Sequence, residues 1–245
     1  MLTRRRCLEA SCAALLTSGV VGAQDAFAER RERLAREIER DARATAEYTG
    51  RSALAANVMA AIRKVPRHRF VPAQYEAVAY DNRPLPIGEG QTISQPFIVA
   101  LMTDLAVPKK SDVVLEVGTG SGYQAAVLAE CVARVYTIEI VPKLGERAAA
   151  LLKQLGYSNV ETRIGDGYLG WPEAAPFDAV VVTAAPDHVP QPLIDQLRAG
   201  GRMVIPVGEQ GSGGQDLLVI EKSSDGKTVN RSVLPVRFVP LRRER

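Results

Sequence analysis

Residues 115–126 read LEVGTGSGYQAA, and this stretch decides the fold. It joins a short apolar run, residues 113–117, to a glycine turn, residues 118–122, and then to the first residues of a helix. A five-residue apolar run that ends in glycines is typical of a strand buried on both faces of a parallel sheet. Glycines let the backbone turn sharply and come close to a bound ligand. The stretch therefore predicts a strand, a ligand-binding turn and a helix in succession.

The same alternation of strands and helices continues towards the end of the chain. We predict strands over residues 135–140, 160–164, 177–183 and 202–207, and helices over residues 125–133 and 142–155. Two last strands, residues 216–221 and 233–239, are predicted to pair as an antiparallel hairpin. Repeated β-α-β units imply an α/β fold with a doubly wound, mostly parallel sheet.

The segments before this core predict an N-terminal helical extension. Residues 29–48 form a charged helix with an apolar stripe at Leu34, Ile38 and Ala42, and residues 57–65 form a second helix. The following residues, 66–90, carry four prolines and are predicted to be an irregular loop region. We therefore predict a single domain over residues 29–245, with an extension at 29–90 and a ligand-binding core at 91–245.

The first 28 residues have the features of an export signal. Arginines at positions 4–6 are followed by a mostly apolar stretch, residues 13–23, and by Ala26-Phe27-Ala28, an A-x-A cleavage site. Residues 3–8 resemble a twin-arginine leader. We expect cleavage after Ala28 and a periplasmic protein, or a cytoplasmic one if the leader is not used. The apolar stretch is too short to span a bilayer, so no stable membrane association is expected.

Charge and cysteine content exclude several classes of function. The formal net charge is only +3 and no basic stripe is interleaved with aromatic residues, so we expect no nucleic-acid partner. Cys7 and Cys12 lie in the leader, which leaves Cys131 as a predicted buried, inert thiol and allows no intrachain disulfide. No cluster of His, Cys and carboxylate residues has metal-ligand spacing, so no metal is expected. We also expect a monomer.

Acidic residues follow the strand ends in the order that a nucleoside cofactor requires. In a doubly wound sheet, ligands bind beyond the carboxyl ends of the strands. Glu116 stands just before the glycine turn, where a carboxylate would repel a pyrophosphate but suits the ammonium and sulfonium groups of S-adenosylmethionine. Glu139 ends the second strand and can accept both ribose hydroxyls, and Asp166 and Gly167 follow the third, where the carboxylate can accept from the adenine amino group.

Five motifs resemble those of the protein-L-isoaspartate O-methyltransferase family, a branch of the Rossmann-like methyltransferases. They are PRHRFVP at 66–72, PLPIGEGQTISQP at 84–96, LEVGTGSGYQAA at 115–126, GDGYLGW at 165–171 and LRAGGRMVIPVG at 197–208. The chain also ends in a similar RFVPL, residues 237–241. Many methyltransferases share the glycine turn, whereas GQTISQP, residues 90–96, is specific to this family.

The resemblance implies a function and a set of site residues. It implies that S-adenosylmethionine methylates the free α-carboxylate of isoaspartyl residues in damaged proteins and peptides, which starts their repair through succinimide. The cofactor would be held by residues on the strand ends and in the GQTISQP motif: Thr92, Ile93, Glu116, Gly118, Thr119, Gly120, Ser121, Gly122, Glu139, Asp166 and Gly167. The family's active-site serine falls on Ser94. Its hydroxyl is expected to form a hydrogen bond near the substrate carboxylate or the methyl path and not to attack covalently.

Other interpretations of these residues stay open at this point. From the sequence alone, Ser94 fits a helix N-cap, because Pro96 and an apolar run follow it. His68 is more typical of a structural histidine than of a catalytic one, and His188 fits either a loop or the border of a peptide groove. Two other functions remain possible: methylation of a small-molecule carboxylate or amine, and binding of S-adenosylmethionine without turnover.

Overall fold

The computed structural model of the chain describes residues 18–208 and 214–243, with side chains from Phe27 onward. Most of the predicted leader, residues 1–17, therefore lies outside the described residues. The helices are α1 (Ser18–Ala44), α2 (Ala46–Thr49), α3 (Ala56–Lys64), α4 (Pro96–Leu105), α5 (Tyr123–Cys131), α6 (Pro142–Gln154) and α7 (Gln191–Asp195). The strands are β1 (Leu85–Gly88), β2 (Gln91–Ile93), β3 (Val113–Val117), β4 (Arg134–Glu139), β5 (Val160–Ile164), β6 (Phe177–Val182), β7 (Leu197–Val207), β8 (Gln215–Lys222) and β9 (Thr228–Val236).

Seven of these strands form one twisted sheet in the order β5-β4-β3-β6-β7-β8-β9. The first five run parallel, and β8 and β9 add antiparallel to the edge. The predicted α/β fold, its parallel core and its C-terminal antiparallel hairpin are thus confirmed. The strand order reverses between β4 and β6 on either side of β3, which places the glycine turn after β3 at the switch point where such sheets bind ligands.

Two apolar layers cover the sheet. Alternation along β3 sends Val114 towards α1 and the α3–α6 helices, whereas Leu115 and Val117 pack on the opposite face with Leu193 of α7. The N-terminal extension belongs to the first layer, because its predicted stripe is buried and α1 contacts α3 and α4. No helix within the described ranges is long and apolar enough to cross a membrane.

Several segments differ from the prediction. The last strand is predicted over residues 233–239 and is found at Thr228–Val236. Helix α1 begins at Ser18 and runs through the predicted cleavage site, residues 26–28. Residues 66–90 contain two 3₁₀ turns, Arg67–Phe70 and Ala73–Val78, and strand β1, which pairs with β2 as a small hairpin. The sequence did not place α4 as an element either, because nine of its ten residues are buried and the apolar run therefore has no helical periodicity.

Candidate active site

The glycine turn lies at the carboxyl edge of the sheet, between β3 and α5. Gly118, Gly120 and Gly122 have φ angles of 100°, 53° and 86°, a region that other residues rarely adopt. Gly118 has a second requirement, because a Cβ atom there would lie 2.5 Å from Thr183 Oγ1. That hydroxyl donates to the carbonyl oxygens of Gly118 and Val117 at 2.6 and 3.1 Å. The turn is therefore held against the residue that follows β6.

Glu139, the last residue of β4, faces this turn. Its Oε2 accepts a hydrogen bond from the Gly120 amide at 2.7 Å, and its Oε1 accepts one from the Val141 amide at 2.9 Å. The residue is 6% exposed. Two amides thus fix the carboxylate, while each oxygen keeps a further lone pair that can accept a hydroxyl group.

Asp166 and Gly167 form the turn after β5. A Cβ atom on Gly167 would lie 2.4 Å from Val117 Cγ1, so the glycine lets this turn pack directly against β3. Asp166 is half-buried, and its Oδ1 accepts from the Tyr168 amide at 2.8 Å. The predicted bond from Asp166 to an adenine amino group stays a prediction.

Glu116 lies elsewhere than the sequence predicts. Because side chains alternate along β3, its carboxyl group is fully buried beneath the turn, where Oε2 accepts from Thr137 Oγ1 at 2.6 Å. Thr137 Oγ1 lies 2.6 Å from Thr119 Oγ1, which links the carboxyl group to the turn. Burial raises the pKa of Glu116 to about 8, and the charge of Glu139 adds to the rise. The structure therefore does not support the expected direct contact of Glu116 with a ligand; it supports a role in holding the turn from below.

The β1–β2 hairpin brings Thr92 and Ser94 to the same edge of the sheet. Thr92 is exposed, whereas Ile93 is only 3% exposed and packs in the core opposite Leu85. A period of two puts neighbouring side chains on opposite faces, so the Ile93 side chain points away from that of Thr92, and the expected contact of Ile93 with a cofactor stays a prediction. Ser94 is half-buried and is not a helix N-cap, since the cap position of α4 is Gln95 and makes no side-chain bond.

Two clefts meet beside the hairpin. The glycine-loop cleft is lined by residues that include Gly118, Gly120, Glu139, Gly167, Leu241 and Arg242. The hairpin cleft, of about 620 Å³, is lined by residues that include Ser94, Phe97, Ile98, Leu234, Arg237 and Phe238. Both clefts are lined by Thr92, Thr183 and Val239. A group bound in one cleft therefore faces a group bound in the other across these three side chains.

The C-terminal segment, residues 237–242, runs along both clefts. It is held by Ala185, whose amide donates to Val239 O and whose carbonyl oxygen accepts from the Leu241 amide, both at 2.8 Å. With the segment in this place the glycine-loop cleft has a volume of about 50 Å³. Ligand pockets usually have roughly 300–1,000 Å³, so this segment narrows the glycine-loop cleft.

The family model of the protein-L-isoaspartate(D-aspartate) O-methyltransferases matches residues 45–245. The chain belongs to this family. A relative of that name from Syntrophobacter fumaroxidans is 58% identical over 93% of this chain and 92% of its own length. Another, from Cupriavidus necator, is 57% identical over 96% of this chain and 90% of its own length.

Solved structures agree with the family assignment. A protein-L-isoaspartate O-methyltransferase with a TM-score of 0.75 is 30% identical, and the match covers 86% of this chain and 65% of the solved one, so the chain spans just under two thirds of that structure. A Plasmodium falciparum protein solved with S-adenosyl-L-homocysteine has a TM-score of 0.71 at 24% identity, and the match covers 89% of this chain and 99% of the solved one. The second likeness concerns the fold alone.

The residues of the glycine-loop cleft fit the methyl donor of the family, S-adenosylmethionine. Cβ atoms at Gly118 and Gly167 would fill this cradle, and Glu139 adds a fixed carboxylate. The turn places backbone rather than side chains along the cleft, which lets a ligand approach closely.

Neither histidine of this family member sits among the lining residues of the two clefts. The His68 ring stacks on Phe27 with centroids 4.0 Å apart, and its Nδ1 lies 2.8 Å from Tyr80 Oη. Burial lowers the pKa of His68, and its structural role in packing α1 is confirmed. His188 is exposed beside Asp187. Cys131 is buried with a pKa raised to about 11, as expected of an inert thiol.

Thr183, Val239 and Arg237 are candidate site residues that the sequence did not single out. Thr183 follows β6, so the rule that ligands bind beyond strand ends already indicates it. Val239 and Arg237 lie in the RFVPL motif but reach the clefts only because a bridge joins Ala185 to Pro240, 55 positions apart in sequence. No local pattern in the sequence predicts that pairing.

Proposed function

We propose that this protein transfers the methyl group of S-adenosylmethionine to the free α-carboxylate of isoaspartyl residues in proteins and peptides. The resulting methyl ester cyclises to a succinimide, whose hydrolysis returns part of the residue to normal aspartate. The protein is thereby proposed to be a repair enzyme that starts this sequence, which agrees with its family and with the names of relatives more than 50% identical to it.

The observation that carries the proposal is the meeting of the two clefts at Thr92, Thr183 and Val239. The smaller cleft has the groups for a nucleoside cofactor, and the larger one is open enough for a peptide. Methyl transfer requires the donor sulfur, the methyl carbon and the acceptor oxygen in line, so donor and acceptor must enter from opposite sides of one junction. The shared residues are that junction.

The hairpin cleft, which would hold the methyl acceptor, has the chemistry that a carboxylate substrate needs. A carboxylate is already ionised at neutral pH, so transfer needs alignment and exclusion of water but no strong base. Ser94 lines this cleft and is proposed to donate a hydrogen bond near the acceptor oxygen. Neither histidine lines the cleft, so a role for Ser94 as a nucleophile has no support. Among the described residues that line the hairpin cleft, Arg237 carries the positive charge that attracts an anionic substrate.

The cofactor is proposed to be held by the strand-end residues. When bound, it supplies an electrophilic methyl group on a positively charged sulfur. Glu139 would accept the ribose hydroxyls, Asp166 the adenine amino group, and the turn at Gly118–Gly122 would lie against the amino-acid tail.

A pair of matched peptides tests the proposal. The protein is offered S-adenosylmethionine with a labelled methyl group and either an isoaspartyl peptide or its aspartyl counterpart. Base-labile label on the isoaspartyl peptide alone is the expected result. Binding of the cofactor with label on neither peptide would exclude the repair function and favour a small-molecule acceptor or a non-catalytic binding protein.

Ser94→Ala tests the assignment of the acceptor site. We expect kcat for the isoaspartyl peptide to fall by about tenfold or more, since one positioned hydrogen bond is lost. Ser158→Ala, an exposed serine after α6, is the matched control and should keep full activity. Full turnover in the Ser94 variant would remove this residue from the mechanism.

We also propose that the protein is exported. The support is the leader-like sequence of residues 1–28, and twin-arginine export of an already folded chain would let bound cofactor leave with it. Cell fractionation with N-terminal sequencing should find a periplasmic protein beginning at Glu29. A cytosolic protein that keeps its first 28 residues would exclude export.

Finally, we propose that residues 29–245 act as one domain and as a monomer, without a nucleic-acid partner. Helix α1 of the extension packs against α4 of the core, which supports the single domain, and the small net charge supports the absence of a nucleic-acid partner. Light scattering after size-exclusion chromatography should give a mass close to one chain, and a stable dimer would contradict it.

A further inference from the structure

We propose that Arg67 is a positioning residue for methyl transfer, which holds Ser94 in place and connects it to the glycine turn. This inference rests on the proposed function. Arg67 lies in the 3₁₀ turn Arg67–Phe70, outside the two clefts, and is 0% exposed.

The hydrogen bonds of Arg67 are made to both ends of the β1–β2 hairpin. Its Nη2 donates to Ser94 O at 2.8 Å and to Arg83 O at 3.4 Å, and these carbonyl groups flank the hairpin residues 85–93. Its Nε donates to Ala79 O at 2.9 Å, which fixes the guanidinium plane. The planar guanidinium group thus fixes the positions of both ends of the β1–β2 hairpin, including the backbone of Ser94.

The flat face of the guanidinium contacts the other half of the site. Its central carbon lies 4.8 Å from the centroid of the Tyr123 ring, within the range of a cation–π contact. Tyr123 is the first residue of α5 and directly follows the glycine turn. The Tyr123 ring is itself held edge-on by Phe70, with centroids 5.6 Å apart. The contacts of Arg67 therefore run from Ser94 to the residue that directly follows the glycine turn.

Stability alone does not explain a buried arginine at this position. Arg67 contacts carbonyl oxygens and an aromatic ring, and it forms no ion pair with a carboxylate of the described residues. Burying a cation without a carboxylate costs free energy, and an apolar side chain of similar size often packs equally well. Burial accordingly lowers the pKa of Arg67 to about 10, which still leaves it charged at neutral pH. The hydrogen bonds of the guanidinium group fix the position of the β1–β2 hairpin, and an apolar side chain cannot make them.

Kinetics of Arg67→Lys and Arg67→Met test the inference. A shift of Ser94 by about 1 Å can cost on the order of 100-fold in rate. We therefore expect kcat for the isoaspartyl peptide to fall roughly 10- to 100-fold in Arg67→Met and less in Arg67→Lys, which can still reach one carbonyl oxygen. The Kd for S-adenosylhomocysteine should change less than about threefold, since Arg67 does not line the glycine-loop cleft.

A double-mutant cycle separates positioning from general loss of stability. If Arg67 acts through Ser94, the double variant Arg67→Met with Ser94→Ala should be no slower than Ser94→Ala alone, within about threefold. Val58→Ala, buried in α3 away from the hairpin, controls for lost stability and should keep its kcat. Losses that multiply in the double variant, or an equal loss of kcat in Val58→Ala, would overturn the inference. Absence of methylation by the wild-type protein would instead contradict the proposed function itself.

Discussion

Replacing Glu116 with glutamine distinguishes a carboxylate that contacts the cofactor from one that supports the turn. The sequence places this residue beside the ammonium and sulfonium groups of S-adenosylmethionine. The structure buries it completely and pairs it with Thr137 instead. Glutamine keeps the size and the hydrogen-bond acceptor but cannot ionise.

The expected effect on stability follows from the pKa of Glu116. This pKa is about 8 in the folded protein against an ordinary value of 4.5, so the folded state keeps a proton that the unfolded state has lost between these values. The free energy of unfolding therefore falls as the pH rises through this window. From about pH 5.5 to about pH 7.5 the wild type should lose about 2.5 kcal/mol relative to Glu116→Gln, which has no such titration.

Urea denaturation of the two proteins at several pH values measures this difference. Subtracting one curve from the other removes the contributions of all other titrating groups. Glu146→Gln, an exposed glutamate of α6, is the control and should track the wild type. A difference that does not change with pH, or a wild type that gains stability as the pH rises, would refute the conclusion that Glu116 is protonated in the folded state.

Cofactor affinity is the second readout for the same variant. If Glu116 only supports the turn, the Kd for S-adenosylhomocysteine should change by less than about threefold. A hydrogen bond to a charged group is worth about 1.5–3 kcal/mol, so loss of a direct contact to the ammonium group would weaken binding more than tenfold. A weakening of that size would restore the interpretation that the sequence favours.

Three further predictions concern the clefts. Gly118→Ala should weaken S-adenosylhomocysteine binding at least tenfold, because the new Cβ atom would collide with Thr183. In the control Gly156→Ala no atom lies near the new Cβ, so this variant should lose only about 1–2 kcal/mol of stability from its positive φ angle. Calorimetry of Glu139→Gln should show cofactor affinity about tenfold lower or worse, because the ribose hydroxyls lose a charged acceptor; unchanged affinity would exclude Glu139 from cofactor binding. Arg237→Ala should raise the KM for an isoaspartyl peptide about two- to fivefold at low salt with kcat unchanged, and Arg231→Ala, exposed on β9 outside the cleft, should not.

Much of the fold follows from local pattern. The strands at 113–117 and 160–164 are found with the predicted ends, and the glycine turn lies at the switch point of the sheet. Short apolar runs, glycines and charged strand ends determine local structure over a few residues, so they can be recognised in a single sequence. The small hairpin of β1 and β2 was missed, because its strands have only four and three residues and lie among prolines and glycines.

Only part of the candidate site could be predicted from the sequence. Strand-end position brought out Glu139 and Gly167, which do line the glycine-loop cleft. It did not predict that the Glu116 side chain is buried, because whether a residue at a strand end faces the ligand or the core depends on which face the helices cover. It gave no indication of Arg67, whose neighbours in space lie 12 to 56 positions away along the chain.

By itself, then, the sequence determined the strand–turn–helix beside the glycine-loop cleft and the family to which the chain belongs. Both are encoded in contiguous residues, where backbone freedom and hydrophobic period act locally. Only the tertiary structure decided that the hairpin and the C-terminal segment meet at Thr92, Thr183 and Val239, and that a buried arginine holds the hairpin to the turn. These contacts depend on the packing of elements far apart in sequence, and packing is a property of the whole fold.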